Sequence, residues 1–75
     1  MKPSYFVQAL WDAEASVWIS DSDIPGLVIE ADTLGEFEQL MMQLAPEMLA
    51  DNADVHAANV DIEFRVSERR QVAVA

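Results

Sequence analysis

The chain has 75 residues, no cysteine, and a formal net charge of −10 from fourteen acidic and four basic side chains. This length allows one domain, residues 1–75, and the lack of cysteine excludes disulfides and thiolate metal sites. Such a charge repels phosphate, so we expect no direct nucleic-acid binding. No apolar run reaches the roughly 20 residues of a membrane span. The N-terminus also lacks a signal peptide's apolar stretch, so we expect a cytoplasmic protein that does not enter membranes.

Two strands are predicted near the N-terminus, separated by a polar break at residues 12–15 that is long enough for a hairpin loop. Residues 5–11 are apolar on both faces, which predicts a strand that is central or covered on both sides. Residues 17–19 are β-branched and aromatic, which favours a second strand paired antiparallel with the first.

A proline–glycine turn and a helix start follow. Pro25 fixes φ for the second position of a turn, and Gly26 supplies the positive φ of the third. Residues 27–31 then predict a third strand. Thr33 and Glu36 have the spacing of a capping box, in which each side chain satisfies a backbone N–H at the helix start.

The next segment predicts an amphipathic helix with apolar residues at spacings of three and four. Its stripe consists of Leu34, Phe37, Leu40, Met41, Leu44 and Met48. Because Pro46 cannot donate a backbone hydrogen bond, we expect the helix to kink there, or to stop and restart as a short turn through residues 48–51.

Residues 51–54 form a polar exit from the helix, and a loop is expected through residues 56–59. The alternation at residues 60–67 predicts the last strand, which residues 71–75 would extend or pair with a second copy. The element order is β-β-β-α-β. The simplest closure is an α+β fold, an antiparallel sheet with one helix packed on its apolar face.

Several short segments, in this order, resemble the HicB-like antitoxin superfamily and together span residues 5–67. They are Trp11-Asp12 with Glu14-Ala15 and Val17-Trp18, Asp23-Ile24-Pro25-Gly26-Leu27, and Glu30-Ala31-Asp32-Thr33 before the helix. Pro46-Glu47-Met48-Leu49 and Asn52 resemble a compact, single-domain bacterial branch of that superfamily.

The resemblance implies a partial ribonuclease-H-like fold that masks a small basic RNA-cleaving toxin of the HicA type. Members usually carry a C-terminal DNA-binding segment as well. Only eight residues follow Ser67 here, too few for such a segment.

Ribonuclease-H-like enzymes hold metal ions with carboxylates, so the acidic residues of this chain also allow a nuclease interpretation. The candidates are Asp12, Glu14, Asp21, Asp23, Glu30 and Asp32. Most of these fall in predicted turns, where acids bond backbone N–H groups, and the single histidine, His56, cannot build a usual zinc site. We therefore expect no enzyme activity, no metal and no cofactor. A metal-dependent nuclease is the alternative.

Interface candidates come from large aromatics, exposed methionine and charge. The partner-binding candidates are Trp11, Trp18, Asp21, Asp23 and Met42, with the alternative that the two tryptophans pack as core. A thin core and an apolar C-terminal end predict a homodimer. Its interface candidates are Arg65, Val72 and Val74, with the alternative that the arginine is an ordinary solvated charge at a strand edge.

The functional prediction is a protein-binding, antitoxin-like domain whose acidic surface sterically masks a small basic toxin. The alternative is a homo-oligomeric accessory or small-ligand-binding domain that acts without a toxin.

Overall fold

A computed structural model describes residues 4–56 and 59–75, so residues 57–58 of the predicted loop and residues 1–3 lie outside it. The elements are β1 (Ser4–Asp12), β2 (Val17–Ser22), β3 (Glu30–Ala31), α1 (Leu34–Asn52) and β4 (Asp61–Ser67). The strands form one sheet in the order β3-β2-β1-β4, with α1 packed against one face. This confirms the α+β class and the β-β-β-α-β order.

The sheet is mixed, which corrects the expectation of a wholly antiparallel sheet. β1 pairs antiparallel with β2, and β2 with β3, but β4 pairs parallel with β1. The reason is the crossover: one helix returns the chain to the end of the sheet where β3 began. β4 therefore runs in the direction of β3 and β1. Alternation along a strand indicates its faces but not its direction.

Side-chain hydrogen bonds shape the hairpin between β1 and β2. The Asp12 carboxylate Oδ1 accepts from the backbone N–H groups of Glu14 at 3.1 Å and Ala15 at 3.3 Å. Ser16 has φ 56°, in the left-handed region. Both strands run further than predicted, β1 to Asp12 beside this connection and β2 to Ser22 at the far end of the hairpin.

The third strand is shorter than predicted, because a side chain replaces part of its ladder. The N–H of Ile29 donates to the Ser20 hydroxyl at 2.8 Å, while the N–H of Ser20 donates to the Ile29 carbonyl at 3.1 Å. Regular pairing is left to Glu30 and Ala31. The predicted inward residues Leu27, Ile29 and Ala31 are nevertheless buried.

The helix begins as predicted and continues past its proline. Thr33 is the N-cap, and its Oγ1 accepts from the N–H of Glu36 at 3.1 Å. α1 then runs to Asn52, so of the two outcomes predicted at Pro46, a kink or a stop with restart, the stop is wrong. Pro46 is exposed, whereas Ala45 and Leu49 on either side of it are buried. Packing of this last part of the helix offsets the roughly 3 kcal/mol that an interior proline costs.

The core lies between α1 and the sheet. Phe37 and Val7 are fully buried, and the Phe37 ring stacks on that of Phe64 with 6.0 Å between centroids. Beyond Ser67 the predicted extension of β4 has no ladder partner among the residues that the structure describes, and residues 68–75 are exposed.

The proline–glycine turn is tied to the C-terminal end of α1. The N–H of Leu27 donates to the Ile24 carbonyl at 3.2 Å, and Gly26 has φ +80°. The Asn52 amide donates to the Pro25 carbonyl at 3.0 Å. A Cβ on Gly26 would lie 2.5 Å from the Asn52 Nδ2 atom. The positive φ therefore favours glycine, and a Cβ at this position would displace the Asn52 side chain.

Gly26→Ala should lower the free energy of unfolding by about 2 kcal/mol, from left-handed strain and the displaced Asn52 hydrogen bond. The matched control is Gly35→Ala, because Gly35 lies in the first turn of α1 and a Cβ there meets nothing within 4 Å. This control should be neutral or stabilise by up to about 1 kcal/mol. Urea titration measures both, and equal effects of the two substitutions would contradict this account of the turn.

Candidate functional site

The sheet face that points away from α1, here called the outer face, carries apolar side chains. Side chains alternate along a strand, and Val7 and Ala9 are buried under the helix. Phe6 and Leu10 therefore point outward, and Leu10 lies opposite Ile19 of β2. These three outward residues, Phe6, Leu10 and Ile19, are half-buried, so part of each remains accessible.

Acidic side chains surround this apolar centre. Glu30 of β3 lies opposite Ile19, and Glu63 of β4 lies beside Phe6. Asp21 of β2 lies opposite Gln8. Asp12 and Asp61 occupy outward positions near the ends of the face. Every one of the fourteen acids lies in the described residues, and none is buried. The outer face is thus an apolar patch with an acidic rim.

Arg65 is the base on this face, and it is engaged within the chain. Its Cζ lies 4.6 Å from the centroid of the Phe6 ring, a cation–π contact. Its Nε donates to the Glu63 carboxylate. The arginine therefore covers one end of the apolar patch while neutralising one acid of the rim.

The structure does not bring the predicted partner-binding residues together. Trp11 and Trp18 pack against each other on the helix side, with 5.3 Å between ring centroids. Trp18 is only 9% exposed, as the core alternative describes, whereas Trp11 is half-buried. Met42 is 68% exposed on α1. Of the set, Asp21 lies on the outer face.

Asp23 has a structural contact at the end of the hairpin. Its Oδ1 accepts from the N–H of Phe6 at 2.9 Å, while the Ser22 hydroxyl donates to the Phe6 carbonyl at 2.7 Å. These two side chains satisfy the backbone of β1 where regular pairing with β2 has ended.

Sequence reasoning did not propose Phe6, Leu10 and Ile19 as site residues. The available signal was β1 itself, which is apolar on both faces. That pattern predicts a strand that is central or covered on both sides, and β1 is central in the sheet. In the described residues of this single chain, one of those faces has no second layer upon it.

A second feature is an apolar groove between the C-terminal half of α1 and the start of β4. Its volume is about 430 Å³. It is lined by Met41, Met42, Ala45, Pro46, Leu49, Val55, Asn59, Val60 and Ile62. Because Pro46 has no N–H, the carbonyl of Met42 lacks its helical donor at this groove.

The predicted dimer residues lie in β4, which contains Arg65, and in the segment that follows it. β4 is an edge strand, paired on one side with β1. Beyond it, Val72 is 80% exposed and Val74 is 92% exposed. Arg70 pairs with Glu68 two residues earlier, at 2.8 Å.

The described residues contain no group of three or more His, Cys, Asp or Glu side chains placed to hold a metal ion. His56 instead lies 2.9 Å from the Asp54 carboxylate, and both are exposed. Within this same part of the chain, no helix has the length and hydropathy of a membrane span.

These features define a small, acidic α+β domain with an apolar, acid-rimmed sheet face. A family model described as a domain of unknown function, DUF1902, matches residues 4–75, and the chain belongs to that family. It is also similar to the crystal structure of the hypothetical protein TTHA1013 from the extremely thermophilic bacterium Thermus thermophilus. The two are 35% identical with a TM-score of 0.77, over 93% of this chain and 100% of that one. Among curated proteins, none matches.

Because Asp12 and Asp23 bond backbone N–H groups and the other acids are spread over the surface, we expect no saturable binding of Mg²⁺ or Mn²⁺. Isothermal titration calorimetry of the purified chain is the measurement. Saturable binding that Asp21→Asn or Glu30→Gln abolishes would instead indicate a carboxylate metal site, as the nuclease alternative requires.

Proposed function

We propose that this chain is a protein-binding, antitoxin-like domain that masks a small basic RNA-cleaving toxin. The observation that carries the proposal is the outer face, where Phe6, Leu10 and Ile19 form an apolar centre inside a rim of acids. Protein interfaces have this anatomy, an apolar core within a polar rim.

The negative charge of the rim favours a basic protein as the partner. Residues 4–64 contain thirteen acids and neither lysine nor arginine. Such a surface speeds encounter with a basic protein, and it disfavours acidic partners and phosphate backbones. A toxin that cleaves RNA needs a basic surface to hold its substrate. That surface is the complement of the outer face.

Masking in this proposal is steric. The acidic rim, including Asp21, Glu30 and Glu63, pairs with the toxin's basic side chains, and the apolar centre excludes water from the contact. RNA is then displaced because its binding surface is covered. The chain itself performs no reaction, and such binding would take place in the cytoplasm, where RNA is cleaved.

The groove between α1 and β4 favours a second candidate, a homo-oligomeric accessory or small-ligand-binding domain without a toxin. Its volume of about 430 Å³ is in the range of ligand pockets, and most of its lining residues are apolar. The genomic neighbour discriminates between the two. A short, highly basic adjacent reading frame favours the antitoxin, and its absence favours the second candidate.

Co-expression of the chain with the adjacent gene product tests the proposal. We expect a small basic ribonuclease to copurify and its toxicity to be neutralised, measured as growth and as residual RNA cleavage in vitro. If the neighbouring product is not a basic ribonuclease, or is one that the chain neither binds nor inhibits, the proposal is wrong.

The double substitution Asp21→Lys with Glu30→Lys should weaken toxin binding roughly tenfold or more, because it places positive charge on the rim. The control is Glu38→Lys with Glu47→Lys, which changes net charge equally at exposed positions of α1. Biolayer interferometry at physiological salt measures both. Equal losses would assign the effect to net charge and contradict binding at the outer face.

A further inference from the structure

We propose that two copies of this chain pair edge to edge through β4 and the segment that follows it. Residues 68–75, here called the β4 extension, would form an antiparallel ribbon with the β4 strand of the second copy. The inference concerns the sheet edge and the groove, so it holds whether or not the outer face binds a toxin.

The first observation is the outer edge of β4, which has room for a further strand. Among the described residues, β4 pairs with β1 alone, which leaves the other side of residues 62–67 without a strand partner. An edge of this length is a template for another strand.

The second observation is that side-chain pairing in the β4 extension has the spacing of a strand. Arg70 pairs with Glu68 along the chain, just as Arg65 pairs with Glu63 within β4. Contacts between residues two apart place both side chains on one side, as in a strand. The long axis of the molecule is 53 Å, and its radius of gyration is 14.4 Å, against about 11 Å for a compact 75-residue domain. The β4 extension therefore projects from the body.

The third observation is the position of the two exposed valines. With the alternation of β4 continued, Val72 and Val74 point to the helix side, as Ile62 and Phe64 do. An antiparallel ribbon with its two-fold axis at Ser67 places Val72 opposite Ile62 of the second copy. The same register places Val74 opposite Val60. Val60 and Ile62 line the groove, so the valines would cover its open side.

The fourth observation is charge. All three arginines lie in residues 65–70, which belong to β4 and the β4 extension, whereas residues 4–64 contain thirteen acids and no lysine or arginine. In the proposed ribbon, Arg69 of one copy lies directly opposite Arg65 of the other, whose charge Glu63 neutralises, and diagonally across from Glu63 itself. The basic β4 extension of each copy then lies beside the acidic body of its neighbour. This charge complementarity favours a second copy over an acidic peptide or a neutral ligand as the partner.

We expect sedimentation equilibrium of the purified chain to show a dimer, and Val72→Asp with Val74→Asp to raise its dissociation constant roughly a hundredfold or more. The control is Val28→Asp, because Val28 is as exposed as Val72 but lies before β3. Circular dichroism should show the same fold in all three proteins. A monomeric natural chain, an undiminished dimer in the double variant, or equal loss in the control would overturn the proposal.

The register has its own test, because the chain contains no cysteine. Ser67→Cys places one thiol from each copy at the two-fold axis, within reach of a disulfide. Mild oxidation should convert this variant to a covalent dimer on non-reducing gels, whereas Glu38→Cys on α1 should remain monomeric there. Failure of Ser67→Cys to cross-link, or equal cross-linking of both variants, would exclude the ribbon. Both tests use the purified chain without a toxin, so their results do not depend on the result of the co-expression experiment.

Discussion

One helix can cover only one face of a four-stranded sheet, and the surface of this molecule follows from that limit. α1 buries Val7 and Ala9 of the central strand β1. β1 nevertheless carries Phe6 and Leu10 on its other face, where Arg65 covers only the Phe6 end. Burial of apolar area is the dominant favourable term in folding and association. Both faces of this sheet carry apolar side chains, but α1 covers only one of them. Burial of the uncovered apolar side chains would therefore favour binding of another chain.

The β4 edge of the sheet, like the outer face, lacks a covering element in the described part of this chain. The helical crossover places β4 outside β1, and nothing in the described part of this chain pairs with its outer side. The groove beneath α1 and the exposed valines after Ser67 lie on this side of the molecule. The outer face and the β4 edge are distinct surfaces, and their chemistry differs. Acids surround the outer face, where the one arginine, Arg65, is paired with Glu63, whereas Arg69 and Arg70 belong to the β4 extension. The first suits a basic partner, and the second suits another copy of an acidic chain.

Local chemistry made much of the fold predictable. The N-cap at Thr33, the positive φ of Gly26 and the alternation of β4 each depend on neighbours within a few residues, and each is present. Predictions that depend on distant contacts were less successful. Pro46 stops an isolated helix, but burial of Leu49 carries α1 past it. The Ser20 hydroxyl, nine residues away, takes the N–H of Ile29 and shortens β3.

The amino-acid sequence by itself determined the element order, the acidic character and the exclusion of cysteine chemistry, because these follow from composition and short-range pattern. Tertiary structure alone decided the direction of β4, the burial of Trp18 and the grouping of Leu10, Ile19 and Glu30 on one face. The physical reason is strand pairing. Residues far apart in the chain become neighbours through a register and a direction that no local pattern encodes.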